Sequence, residues 1–267
     1  MIESRYEEYV RFNNGIPFVF HDRLVRHDSM GGRMANWHEN LELQLCEAGS
    51  GSVVLDGRRS TLAIGTVVVV NSNVIHRTDP DGELVYSCVI LDSEFCRRAG
   101  IDIKTLAFRE LIEDEALSRI FGEIRCAYAA TDDPCRTARL QALALSLLII
   151  LRGRYTQGER GQSEGISSCV KSAIVYIRTH FEEPISLESV AGAIYVNKYV
   201  LARRFKAATG QSVVASIHAC RCTHAAALLE KGATVGEAAR ACGFSNLSFF
   251  SKIFLRYMGK LPGKWKK

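Results

Sequence analysis

Five polar side chains early in the sequence have the types and spacing of a binding site. His38, Asn40, Glu42 and Gln44 alternate with Glu39, Leu41 and Leu43, and His76 follows further along. On an extended strand, successive side chains point to opposite faces, so the four polar groups share one face and Leu41, Leu43 and Leu45 the other. His38, Glu42 and His76 together would make a two-histidine, one-carboxylate set suited to iron or manganese, the basis of a metal-dependent enzyme. Pointed into a barrel without a metal, the same row would bind a small effector by hydrogen bonds. On a half-buried strand facing water it would do neither. Arg58, Arg59 and Arg77 could greet an anionic effector or lie solvated on loops.

A second set of residues echoes itself near the far end. Leu187 to Ile194, a tight turn, and Lys198 to Lys206 form one unit, closing at Thr209-Gly210. Val235 to Cys242, a turn through Gly243-Phe244, and Leu247 to Phe254 form the other, closing at Met258-Gly259. Two short helices that cross closely need a small residue at the crossing, and Ala191 and Ala239 supply it. The turn wants positive φ, which Gly243 tolerates and Tyr195 does not. The second helix of each unit must be apolar inward (Leu201, Phe205; Phe250, Phe254) and polar or basic outward (Lys198, Arg203; Ser248, Lys252). Such an outward face fits a DNA major groove about 12 Å wide.

The elements that must position these groups follow from pattern and punctuation. Residues 16–92 read as short strands separated by Glu47–Gly51, Asp56-Gly57 and Asp79–Gly82. Asp56-Gly57 is a two-residue hairpin signal, because both central residues need positive φ. From Ser93, a plausible N-cap, the pattern turns helical: Thr105 to Ala129 has helical spacing, and a very apolar helix runs from Pro134 to about Tyr155. Gly153–Gly165 reads as linker. Helices then run over Ile166–Phe181, Leu187–Ile194 (capped by Ser186), from near Asn197, Ser212–Lys231, Val235–Cys242 and Asn246–Tyr257.

The net charge of +5 hides an asymmetry: residues 166–267 hold 15 Lys+Arg against 5 Asp+Glu, and the rest is acidic. A basic domain joined to an acidic one is the electrostatic footprint of a nucleic-acid binder with a separate second function. The nine cysteines contain no Cys-x-x-Cys pair and read as buried or inert thiols rather than as disulfides or a zinc knuckle. Ala142–Leu151, the longest apolar run, is too short to span a membrane. No secretory signal is visible at Met1–Arg5, so a cytoplasmic protein away from the membrane is expected.

Two resemblances attach to these residues. Gly32, His38-Glu39-Asn40-Leu41-Glu42 and Gly49, with Gly65 and Asn71–His76, resemble the two cupin motifs. Asn40 replaces a usual histidine, and the carboxylate stands two residues nearer than the motif expects. The segment Ile166–Trp265 resembles the DNA-binding domain of the AraC/XylS family of transcription regulators. Gly243–Phe254 and Gly259–Lys266 carry most of that likeness, with Gly210, Ile217, Arg221, Ala225, Leu228 and Leu229 on the connecting helix. Lys252 and Lys266 depart from it, standing where Arg is usual.

The resemblance implies DNA contacts from Lys198, Tyr199, Ala202, Arg203, Asn246, Leu247, Ser248 and Lys252. Lys206 and Arg256 would neutralise phosphates, as would Lys198 and Lys252. It also implies RNA polymerase as a partner, a homodimer, and recognition helices about 34 Å apart. The expected fold is two-domain α+β: a cupin-like antiparallel barrel at 1–95, a helical dimerisation segment at 96–157, a linker at 158–165, and an all-α domain at 166–267. The two helix-turn-helix units fall at about 187–209 and 235–258. The expected function is a DNA-binding regulator, not an enzyme, with effector-binding residues His38, Asn40, Glu42, Gln44 and His76. No catalytic residue, metal or cofactor is expected. The alternatives are a metal-dependent cupin enzyme fused to a DNA-binding domain, and an effector-independent regulator.

Overall fold

The computed structural model describes residues 15–27, 35–159 and 166–265. Gly32 of the first cupin-like motif, most of the expected linker (160–165) and Lys266 lie outside them. The first domain is built on an antiparallel sheet in the order β1 (Phe18–His27), β5 (His76–Leu91), β2 (Leu41–Leu55), β4 (Thr66–Val70), β7 (Leu111–Glu113), with β3 (Arg58–Leu62) also on β2. Leu41, Leu43 and Leu45 on one face of β2 pack with β1 and with the helices α2 (Glu115–Ala129) and α3 (Arg136–Arg154). On the opposite face the sheet curls around Cys46, Val53, Leu55, Val68, Val70, Tyr86, Cys88 and Ile90.

Four expectations change here. Glu47–Gly51 and Asp79–Gly82 are not turns but lie inside β2 and β5, where they face each other, with Gly51 opposite Pro80 and Gly49 opposite Leu84. The register shifts beside both glycines, so these turn-type residues make bulges that bend two long strands together. The helix expected from Thr105 begins only at Glu115, capped by Asp114, because Leu106–Phe108 (β6) and Leu111–Glu113 are short strands. Thr156–Glu159 (β8) pairs with β6, so Gly158 and Glu159 are not linker. Asp56-Gly57 does form the hairpin turn, at φ 44° and 84°. Asp92, rather than Ser93, caps the first short helix, α1 (Ser93–Arg98).

The very apolar helix expected from Pro134 forms as α3, which buries Leu140, Leu143, Ala144, Leu147, Leu148 and Leu151. Leu145 and Ile149 stay exposed on its outer side. No helix among the described residues is long and apolar enough to cross a membrane.

The second domain is all helical: α4 (Ile166–His180), α5 (Leu187–Ala193), α6 (Lys198–Thr209), α7 (Val213–Glu230), α8 (Val235–Ala241) and α9 (Leu247–Met258). α7 runs through the middle and buries residues on every side, including both Cys220 and Cys222. The buried Arg221 guanidinium donates to the carbonyls of Phe181 and Glu183, fastening α7 to the end of α4. All nine cysteines are free; Cys126 and Cys135 are exposed, while burial pushes the thiols of Cys222 and Cys242 up to about 12, which leaves them unreactive.

Candidate effector site and nucleic-acid interface

Inside the sheet, His38, Glu42, Gln44 and His76 come together as expected. Glu42 Oε2 lies 2.8 Å from His38 Nε2 and 3.3 Å from His76 Nε2. Gln44 Nε2 donates to Glu42 Oε1 at 2.7 Å, and the Cys88 thiol donates to the same oxygen at 3.1 Å. Thr78 Oγ1 donates to Gln44 Oε1 at 2.8 Å. His38, Glu42, Gln44, His76 and Thr78 are all buried, so the solvent-exposed reading of the row does not hold. Thr78 and Cys88 were missed because both depend on the register of β5, which sets Thr78 on the face of His76 and pairs Cys88 with Gln44.

Asn40 does not join the cluster. β2 starts at Leu41, and His38–Asn40 form a bend in which Asn40 O pairs with His38 Nδ1. With the chain turned, the Asn40 side chain faces α1 and accepts from the Ser93 amide. Strand alternation therefore fails at its first two polar positions, while the bend still delivers His38 to Glu42.

Burial by itself would raise the Glu42 carboxyl, but the charge and hydrogen bonds of His76, with those of His38, hold it well below the usual carboxylate range. Burial works to lower His76, and the Glu42 charge and hydrogen bond outweigh it, so His76 is raised. The Cys88 thiol is pushed well up, first by burial and then by Glu42. Of the three arginines, Arg58 pairs with Glu110, and Arg59 with Asp79. Arg77 is no loop cation: it is buried, bidentate to Asp79, and donates to Thr209 O at the end of α6.

The helical domain presents two units built alike. α6 and α9 have 12 residues each, are N-capped by Asn197 and Asn246, and end at Gly210 and Gly259 with φ of 73° and 72°. α5 and α8 open with reciprocal capping boxes, Ser186 with Ser189 and Thr234 with Glu237. Leu201, Phe205, Phe250 and Phe254 are fully buried, as their inward positions require. Tyr199, Arg203, Lys206, Leu247, Ser248, Lys252 and Arg256 are exposed, and Ala202 is half-buried beside them. Lys198 reaches back to Glu188 at 2.9 Å. Asn246 is exposed but lends its side-chain oxygen to the Phe249 amide. Tyr195 occupies the position of Gly243 and takes the same left-handed backbone, φ 56° against 72°.

A folded sheet with an enclosed polar cluster, followed by a basic domain carrying two exposed and matching helices, defines a two-domain regulator with a sensor and a paired helix-turn-helix reader. Residues 26–162 match the AraC-like ligand binding domain family, and residues 190–267 match a helix-turn-helix domain family. The chain belongs to the AraC family of transcription regulators. It is 24% identical over 244 residues to the HTH-type transcriptional activator RhaS of Escherichia coli O6:H1, covering 84% of each. To the xylose operon regulatory protein of E. coli K12 it is 29% identical over 98 residues, 36% of this chain and 25% of that one. A solved structure of unsaturated fatty acid-bound ToxT from Vibrio cholerae has the same fold, with a TM-score of 0.53 at 14% identity over 96% of each chain.

Proposed function

We propose that the chain is a cytoplasmic, effector-responsive activator that reads two successive major grooves with α6 and α9 and has no enzymatic activity. The observation that carries this is the matched pair of equally long, equally capped helices whose exposed faces are basic. Arg203 contacts a base, since a guanidinium pairs bidentately with guanine, and Lys198, Lys206, Lys252 and Arg256 neutralise phosphates. Tyr199, Ala202, Asn246, Leu247 and Ser248 complete the two reading faces. The similarity to RhaS, named a transcriptional activator, supports activation through RNA polymerase. The exposed Leu145 and Ile149 on α3 are the apolar face through which two copies pair.

The barrel is the sensor, and the contact of Arg77 with Thr209 is the route by which it reaches α6. The hairpin tip seals that contact: a side chain at Gly57 would fall 2.0 Å from the Ala207 carbonyl of α6.

A fragment beginning at residue 166 keeps almost all of its own core. It is expected to shift duplex DNA by itself in low salt, with affinity falling steeply as salt rises. Failure to shift any member of a promoter library would remove the DNA-reading assignment.

A further inference from the structure

The enclosed cluster poses a proton-counting problem. His38 Nδ1 lies 3.1 Å from the carbonyl of Asn40, and His76 Nδ1 lies 3.1 Å from the carbonyl of Val74. A carbonyl only accepts, so each ring donates to its carbonyl from Nδ1. Both rings turn Nε2 toward the same carboxylate oxygen, Glu42 Oε2. A proton on one Nε2 lets that ring donate to Glu42 Oε2 but leaves the other Nε2 lone pair facing the same oxygen, whereas a cation between the three donors satisfies all of them. Protonating both rings would place two imidazolium ions beside one carboxylate in a buried site, a costly surplus of charge. One doubly charged ion balances all three donors at once.

We infer that His38, Glu42 and His76 form a site for one divalent first-row transition-metal ion, taken from the iron, manganese, cobalt, nickel and zinc class. The donor atoms all lie within 4.8 Å of one another. Donors about 2.0–2.2 Å from a common ion sit roughly 3.0–3.5 Å apart. The two distances at Glu42 Oε2, 2.8 and 3.3 Å, bracket the short end of that range.

The surroundings are those of a metal site too. Ligating histidines donate their second N–H to a fixed acceptor, as both do here, and ligating carboxylates are themselves hydrogen-bonded. Gln44 and Cys88 hold Glu42 Oε1, leaving Oε2 for the ion. Two imidazoles and a carboxylate suit ions of intermediate softness and leave coordination positions open. Space bounded so closely by its own donors fits an ion better than a molecule. The inference rests on the sensor reading of the barrel and deepens it by giving the class of ligand sensed.

The test uses the full chain, stripped with a chelator and titrated with Co²⁺ alone, following the visible ligand-field absorption and the stoichiometry. One equivalent is expected. Glu42→Gln and His76→Gln should each weaken binding by more than about 100-fold, and Gln44→Ala by roughly 10- to 100-fold, with circular dichroism unchanged. No uptake by the wild-type chain overturns the site, as does undiminished affinity in the ligand variants. If those variants do not fold, undiminished affinity in Gln44→Ala overturns it instead. DNA retardation is read in the same samples. A chain that shifts DNA but takes up no Co²⁺ sinks the metal site and leaves the regulator standing, and uptake without any shift does the reverse.

Discussion

The two helix-turn-helix units share a plan and differ in how they are held. The second closes its turn on Gly243, opens on a Thr–Glu capping box, and ends on a helix whose outer face is exposed. The first forces Tyr195 into the left-handed region, uses Ser189 where the second has Glu237, and ends against the barrel at Gly57 and Arg77. The second unit is locally self-consistent. The first tolerates a strained turn and takes its support from the sensor. Under this account, the unit that can be regulated is the one whose seat depends on the other domain.

That contrast can be broken at the turns. Gly243→Ala combines a positive φ with a Cβ only 2.6 Å from the Glu182 carbonyl. It should cost about 2–3 kcal/mol in denaturant unfolding, since the left-handed penalty alone is about 1–2 kcal/mol. Tyr195→Gly should act in the opposite direction, stabilising by about 0.5–1 kcal/mol, because Tyr195 is 97% exposed and loses no packing. Equal signs for the two changes would mean that the units are not built on one turn.

The cap of α8 sharpens the contrast less strongly. Thr234→Ala should cost about 1 kcal/mol. The hydrogen bonds from Thr234 to Glu237 hold that carboxyl below its ordinary range. A lowered carboxyl contributes stability at neutral pH and loses it as pH falls through the folded-state value, so the cost of Thr234→Ala should shrink in acid. Ser186 also donates to a carboxylate, Glu188, at 3.3 Å, but Lys198 is the chief cause of that carboxyl's lowering, so the cost of Ser186→Ala should shrink less in acid than that of Thr234→Ala.

The same contrast explains what was legible in the sequence. The helical domain was readable because its signals are local: apolar spacing, capping residues, Ala191 and Ala239 at the crossings, and glycines past the helix ends. Even Tyr195 stood out as the wrong residue for its turn. The sheet depends on partners distant in sequence. Glu47–Gly51 and Asp79–Gly82 each look like a turn, and only their pairing across the sheet turns them into bulges. Leu106–Glu113 carry helical spacing, yet strands β4 and β8 claim them. In the site, the inward period from Glu42 to Gln44 was readable, but Asn40 lay beyond the strand end, and Thr78 and Cys88 needed the register of β5. Arg77 looked like a loop cation because nothing local announces the end of α6 opposite it.

The most direct test measures duplex-DNA affinity of the full chain carrying both Arg203→Ala and Lys252→Ala, one outward cation from each unit, on a genomic fragment selected by the wild-type chain. Specific binding should be abolished with the circular dichroism spectrum intact. Unaltered affinity would contradict the claim that these two helices are a duplicated groove reader.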